Sequence, residues 1–309
     1  MNEASGRGQV RHVTVDADRA GQRLDNFLIS LLGTVPRSLV YRLVRTGQVR
    51  INGARAKPMK KLKAGDQVRV PPVRLDRPRE ARIPEGLVDQ VRASIIFESP
   101  ELVIIDKPAG LAMHGGTGLS YGLMDAVAEI DSKWRPVHRL DRPTSGLLVL
   151  ACNHQALVSL QQAFVKRQVD KRYLALLCGH LPDPRITVDK ALKKIRDGSG
   201  QRRVIAAEDG QSALSHFIEL ERLAGYSFVE VRIETGRTHQ IRAHAAAIGL
   251  PVAGDELYNE GQSPDQLRRL FLHSHYLRLP WPEDRIFSAP LPLELGEVLE
   301  SLRAVDQPQ

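Results

Sequence analysis

Apolar positions along the chain keep two different periods, and each period marks an element. Leu24, Phe27, Leu28 and Leu31 recur at helical spacing, and after Gly33 to Pro36 a second helical pattern runs through Leu39, Val40, Leu43 and Val44 to a capping Gly47. Val49-Arg50-Ile51 then meets Asn52-Gly53, a hairpin signal, and Gly65-Asp66 precedes a strand at Gln67-Val68-Arg69-Val70. These elements predict a small folded unit over residues 21–72. A polar tail over 1–20 precedes it, with a first strand near Val13-Thr14-Val15. Residues 73–92 are rich in Pro, Arg and Glu without a period and read as a linker.

Beyond the linker the period changes. Ile95-Ile96-Phe97, Leu102 to Ile105, Leu147 to Ala151, Tyr173 to Leu177 and Phe228 to Ile233 are short apolar runs bounded by turn residues, as core strands are. Helical patterns lie near 121–130, 154–168 and 238–248. Strands and helices are interleaved, with neither internal repeats nor a Gly-rich phosphate loop, so residues 93–309 are expected to form an α+β domain on a largely antiparallel sheet.

Composition narrows the class. With 309 residues, 42% hydrophobic and 26% charged, the chain can bury one large core and one smaller one. No apolar stretch approaches the roughly 20 residues of a membrane span. Met1-Asn2-Glu3-Ala4-Ser5-Gly6 lacks the apolar core of a signal peptide, so a cytoplasmic, soluble protein is expected. Cys152 and Cys178 sit in or beside strand-like segments without metal-site spacing, and are expected as buried reduced thiols. The formal charge of +8 favours an anionic partner, most often nucleic acid.

Much of that charge falls in the small unit. Arg37, Arg42, Arg45, Arg50, Arg55, Lys57, Lys60, Lys61 and Lys63 would spread over one helix and an adjoining hairpin with few acidic residues between them, a footprint for phosphate. Arg-Leu-Asp-x-Phe-Leu, a second helix, Gly-x-Val-x-Ile-Asn-Gly and Gly-Asp-x-Val resemble the S4 RNA-binding module over about residues 21–72. That resemblance implies an RNA-facing second helix, with Arg37, Arg42 and Arg45 as the contacts.

The large unit carries the candidate chemistry. His138-Arg139-Leu140-Asp141-Arg142-Pro143-Thr144-Ser145-Gly146 precedes the run Leu147 to Ala151, which sets one carboxylate among cations at the lip of a buried strand. Asp106-Lys107-Pro108-Ala109-Gly110 follows another strand, and His114-Gly115-Gly116-Thr117-Gly118 continues as a polar loop. Lys171-Arg172-Tyr173 opens a third. In Thr235-Gly236-Arg237-Thr238-His239-Gln240-Ile241-Arg242-Ala243-His244 a strand turns at Gly236, Thr238 can cap a helix, and Arg242 is then held on a rigid element with a planar fork of donors for a carboxylate. Metal binding by His239, His244, His273 and His275 is disfavoured, because no carboxylate or Cys is interleaved at ligand spacing and Arg242 would add positive charge.

Together, His-Arg-Leu-Asp-x-x-Thr-Ser-Gly-Leu, Asp-Lys-Pro-x-Gly, Lys-x-Tyr and Thr-Gly-Arg-Thr-His-Gln-Ile-Arg resemble the RNA pseudouridine synthases of the ribosomal large subunit type, from about Ile95 to Ala289-Pro290-Leu291-Pro292. The resemblance implies that Asp141 is the essential catalytic carboxylate and Arg242 its buried arginine partner. Tyr173 would stack on the uracil and assist C5 deprotonation, and Arg139 would fill the gap left by an extruded nucleotide. Lys107 and Lys171 would hold phosphate or support the site. Large-subunit rRNA, free or in a precursor particle, is the implied substrate of a cofactor-free, metal-free monomer. A non-catalytic S4-type RNA-binding or ribosome-assembly factor is the alternative, but a pure binder needs no buried Asp–Arg pair.

Overall fold

The computed structural model describes residues 10–33, 35, 37–73, 83–115, 119–196, 202–259 and 263–306. Residues 1–9 of the expected tail, 74–82 of the expected linker, Gly116-Thr117-Gly118 and the Arg37 side chain lie outside the described residues. The chain divides into two compact units, residues 1–81 and 82–309.

The first unit holds β1 (Arg11–Thr14), α1 (Leu24–Leu32), α2 (Arg37–Arg45), β2 (Arg50–Ile51), β3 (Ala54–Arg55) and β4 (Gln67–Val70). The strands form an antiparallel sheet in the order β1-β4-β2-β3. Asn52 and Gly53 both take positive φ, 50° and 79°, the backbone that a two-residue hairpin between β2 and β3 demands. Leu24, Phe27, Leu28, Val40, Val44, Val49 and Val68 make its core, so the helical and strand periods bury one common set of side chains. The stretch read as tail through residue 20 is partly ordered: β1 pairs with β4, and Ala17–Arg19 form a 3-10 turn.

The second unit opens with α3 (Leu87–Ala93), inside the stretch expected as linker. Leu87 and Val91, four residues apart, share one face and are buried in the large core. Two apolar anchors behind Pro84-Glu85-Gly86 are too few to show a period, which is why the segment reads as linker from sequence.

Then follow β5 (Ile95–Glu98), β6 (Leu102–Lys107), α4 (Leu123–Ile130), β7 (Arg135–Pro136), β8 (Ser145–Ala151), α5 (His154–Val165), β9 (Asp170–Cys178) and β10 (Arg185–Asp189). The hairpin β11 (Leu192–Arg196) and β12 (Arg202–Ala206) leads to β13 (Leu214–Leu223), β14 (Tyr226–Ile233) and α6 (Gln240–Ala247), and the chain ends with β15 (Leu272–Leu279), β16 (Arg285–Ser288) and α7 (Leu293–Asp306). The large sheet runs β10-β13-β14-β9-β15-β8-β6-β5, with β16 on β15 and β7 on β8. Every pair is antiparallel except β15 with β8.

Helices cover both faces, so β8 is buried at all seven positions. Its Leu148 and Leu150 face the core shared with α4 and α6, whereas Leu147 and Val149 face α5. At the β8–β15 contact, Gly146 lies against Ser274: a Cβ on Gly146 would fall 2.2 Å from the Ser274 carbonyl oxygen. The Gly after Thr144-Ser145 is thus fixed by the close approach of two backbones just behind the Asp141 loop.

Candidate active site

Asp141 sits in the loop before β8, and three attachments set its position. The Asp141 carbonyl accepts the Thr144 N–H at 3.1 Å, closing a turn. Gly110 N–H donates to the Arg142 carbonyl at 2.8 Å while Arg142 Nε returns a bond to the Gly110 carbonyl at 3.0 Å. Behind both, Lys107 Nζ donates to the carbonyls of Pro108 (2.8 Å), Leu111 (2.9 Å) and Arg142 (3.3 Å). Lys107 is fully buried, and its three N–H groups meet three backbone oxygens. Of its two expected roles, the geometry is that of support, since the ammonium points into the loop junction. Burial pushes it down to about 7, with Asp141 pulling the other way.

Asp141 lines an open cleft enclosing about 550 Å³ together with Arg139, Leu140, Thr144, Tyr173, Ile233, Leu272 and the segment Gly236 to Arg242. It is the one carboxylate among the described residues lining that cleft. Arg242 Nη1 stands 3.8 Å and His239 Nε2 3.9 Å from Asp141 Oδ2. The expected pairing of Arg242 with Asp141 is present as this looser contact. The tighter partner is Asp255: Arg242 Nε donates to Asp255 Oδ2 at 2.7 Å and Nη2 to Oδ1 at 2.6 Å, a bidentate pair whose Asp side chain is wholly buried. Asp255 Oδ1 also accepts the N–H groups of Leu257 and Tyr258, and the Arg242 guanidinium lies 5.1 Å over the Tyr258 ring.

The helix carrying Arg242 begins differently from the expected Thr238 cap. Its N-cap is His239, in the left-handed region at φ 51°, with no side-chain cap. Gln240 Oε1 instead accepts the Arg237 N–H and the Thr235 hydroxyl, and its amide donates to the Leu214 carbonyl and Ser215 Oγ. Gln240 thus ties the turn between β14 and the helix to β13, and the first-turn N–H groups of the helix have no side-chain cap.

On β9 the period of two puts Lys171 and Tyr173 on one face, and both are buried. Tyr173 faces Ser274 across the β9–β15 pair, and burial pushes its phenol up to about 12. Lys171 lies 5.5 Å over the Phe164 ring, and burial lowers it to about 8. His138 stacks on the same Phe164 ring at 4.8 Å and accepts the Val149 N–H, and burial drives it down to about 3. Neither lines the cleft; both line the adjoining groove with Phe164. Arg139 is exposed on the cleft rim, between the cleft and a groove lined by Phe164, Arg167 and Lys171.

The other sequence-singled histidines are engaged separately. His244 meets Ser215 Oγ and the Lys190 carbonyl, His273 meets Ser145 Oγ, and His275 meets Glu230. Among the described residues no group of three His, Cys, Asp or Glu is placed to hold a metal ion. Cys178 is buried and Cys152 half-buried rather than buried, with no disulfide, and burial raises both thiols to about 11. No helix among the described residues is long and apolar enough to cross a membrane.

Asp255 and Tyr258, which hold Arg242 and His239 from behind the cleft, were missed by sequence reasoning. The available signal was Gly254-Asp255: Gly254 has φ 72°, and a Cβ there would fall 2.0 Å from the Arg269 carbonyl oxygen. In the first unit, exposed Arg42 and Arg45 line a concavity with Ser38, Tyr41, Arg55 and Lys57.

Comparison with known proteins agrees with this geometry. Residues 101–247 match the RNA pseudouridylate synthase family model, and residues 22–68 match the S4 domain. A curated relative from Pasteurella multocida, ribosomal large subunit pseudouridine synthase C, is 40% identical over 95% of this chain and 94% of its own length. The protein of the same name from Escherichia coli (strain K12) is 38% identical over 95% and 97%. Among solved structures, human RNA pseudouridylate synthase domain containing 1 superposes with a TM-score of 0.58 at 28% identity, covering 74% of this chain and all of that one. The chain belongs to the RNA pseudouridine synthase family, as an isomerase that carries an S4 domain ahead of its catalytic domain.

Proposed function

We propose that this enzyme isomerises specific uridines of large-subunit ribosomal RNA, with Asp141 as its catalytic carboxylate. The substrate reading rests on relatives about 40% identical over nearly the whole chain that are named for the large ribosomal subunit. The observation that carries the chemistry is a single carboxylate in the cleft, faced by Arg242 and His239 and flanked by buried Tyr173.

Isomerisation breaks the C1′–N1 bond, turns the uracil, joins C5 to C1′ and removes the C5 proton. One carboxylate suffices to begin it, by attack on C1′ or by removal of the 2′ proton. Hydrolysis by the paired-carboxylate route would need a second placed acid and an admitted water, and the cleft presents no second carboxylate among its described lining. Tyr173 stacks on the uracil, and its hydroxyl assists the proton transfer at C5. Arg139, on the rim, takes the space vacated when the nucleotide is flipped into the cleft. Arg42 and Arg45 of the S4 domain bind RNA phosphates, helped by Arg55 and Lys57 in the same concavity.

The test is pseudouridine mapping on large-subunit rRNA from cells lacking the protein and from cells restored with wild type or Asp141→Asn. Specific sites lost in the deletion and regained with wild type alone support both the substrate and Asp141 as the catalytic carboxylate. Unchanged sites in the deletion would place the substrate elsewhere.

A further inference from the structure

His239 lines the cleft and faces Asp141, yet the reaction scheme gives it no role. Its imidazole is mostly buried, its Nε2 faces Asp141 Oδ2 at 3.9 Å, and its Nδ1 lies 3.1 Å from Tyr258 Oη. The backbone holds it at φ 51°, a conformation disfavoured for any residue with a Cβ, although histidine visits it more readily than most.

The proton on this ring can be placed from its neighbours. Tyr258 Oη accepts the Val204 N–H at 2.9 Å, which leaves the phenolic hydrogen to be donated. His239 Nδ1 is the acceptor at hand, so Nδ1 is bare and the proton lies on Nε2. The opposite tautomer would aim a nitrogen lone pair at the Asp141 carboxylate. A doubly protonated ring would leave the phenol and Nδ1 both donating, beside the cations Arg242 and Arg139.

We propose that His239 is a positioning residue: its neutral Nε2–H, fixed in that tautomer by Tyr258, is the second donor that orients the Asp141 carboxylate beside Arg242. The role rests on Asp141 being the catalytic carboxylate. At 3.9 Å the contact is longer than a hydrogen bond and shortens when substrate fills the cleft, as active-site bonds commonly do. Val204 belongs to β12, whose neighbouring Arg203 also lies 5.4 Å from the Tyr258 ring. The strand thereby sets the tautomer of a ring in the cleft.

The test combines a spectrum and a kinetic pair on the full chain. In long-range proton–nitrogen spectra of the nitrogen-15 labelled protein near pH 8, the His239 signal, identified by its loss in His239→Gln, should be that of the Nε2–H tautomer. Tyr258→Phe should move it toward the other tautomer. With a large-subunit rRNA transcript, His239→Leu should lower kcat about tenfold with little change in KM, and His239→Gln, which retains an N–H at the same reach, should restore most of that loss. An Nδ1–H tautomer in the wild type, or equal losses for Leu and Gln, would overturn the proposal. The tautomer reading needs no turnover. Residual activity of Asp141→Asn would instead strike the catalytic reading and leave the tautomer standing.

Discussion

Arg242 gives two of its nitrogens to Asp255, at 2.7 and 2.6 Å, and leaves Nη1 for Asp141 at 3.8 Å. The fork is thus fixed by a carboxylate that takes no part in lining the cleft, and its free end points at Asp141. Held in this way, the arginine does not have to be immobilised by substrate. Asp255→Asn would set an amide N–H2 against a guanidinium and leave a buried cation short of charge. It should cost about 3 kcal/mol or more of stability and lower kcat at least tenfold, read by urea denaturation and by single-turnover rates. Wild-type stability in that variant would show that the pair does not anchor Arg242.

In the proposed reaction Tyr173 offers a ring and a hydroxyl to different steps. Tyr173→Phe keeps the stacking surface and removes the proton-transfer group, so RNA affinity should hold while turnover falls by roughly 10²- to 10⁴-fold. Unchanged turnover would confine the residue to stacking.

How much of this was legible in sequence depended on local signals. Arg242 was visible because its run turns, helix start and fork lie within ten residues. Asp255 was hidden, because an aspartate after Gly254 that accepts the Leu257 and Tyr258 N–H groups has the sequence look of an ordinary turn. The core strands β6, β8, β9 and β14 were legible as apolar runs, since helices cover both faces. Strands β10 to β13 were not, because polar and charged residues such as Lys193, Lys194, Arg202 and Glu219 interrupt them, and tertiary pairing rather than hydrophobic period defines them. For Lys107 the sequence left two roles open, holding phosphate or supporting the site. Only its three carbonyl partners, one of them 35 residues away, reveal a buried support.

In the S4 domain, Arg42 and Arg45 stand exposed along one concavity. Arg42→Ala and Arg45→Ala should each weaken RNA binding and reduce the slope of log affinity against log salt by about one. A slope unchanged in the double variant would move the RNA-binding face elsewhere on this domain.

Acid should weaken the fold through buried histidines. Burial lowers His273 from 6.5 to about 4, so between those values the unfolded chain binds a proton that the native chain does not. Stability from this residue is therefore complete above pH 6.5 and declines as the pH falls toward 4, by about 2 kcal/mol at pH 5. His138 acts with the same sign over a window reaching about 3. The difference in unfolding free energy between pH 7.5 and pH 5 should shrink by about that amount in His273→Asn. An undiminished difference would mean that other groups carry the acid dependence.

The most direct test of catalysis by Asp141 is tritium release from large-subunit rRNA transcript carrying uridine tritiated at C5, since isomerisation expels that hydrogen. Under single-turnover conditions with saturating enzyme, wild type should release the label from specific uridines, and Asp141→Asn should release none while binding the transcript with similar affinity. Appreciable release by Asp141→Asn would contradict the assignment of Asp141 as the group that starts the reaction.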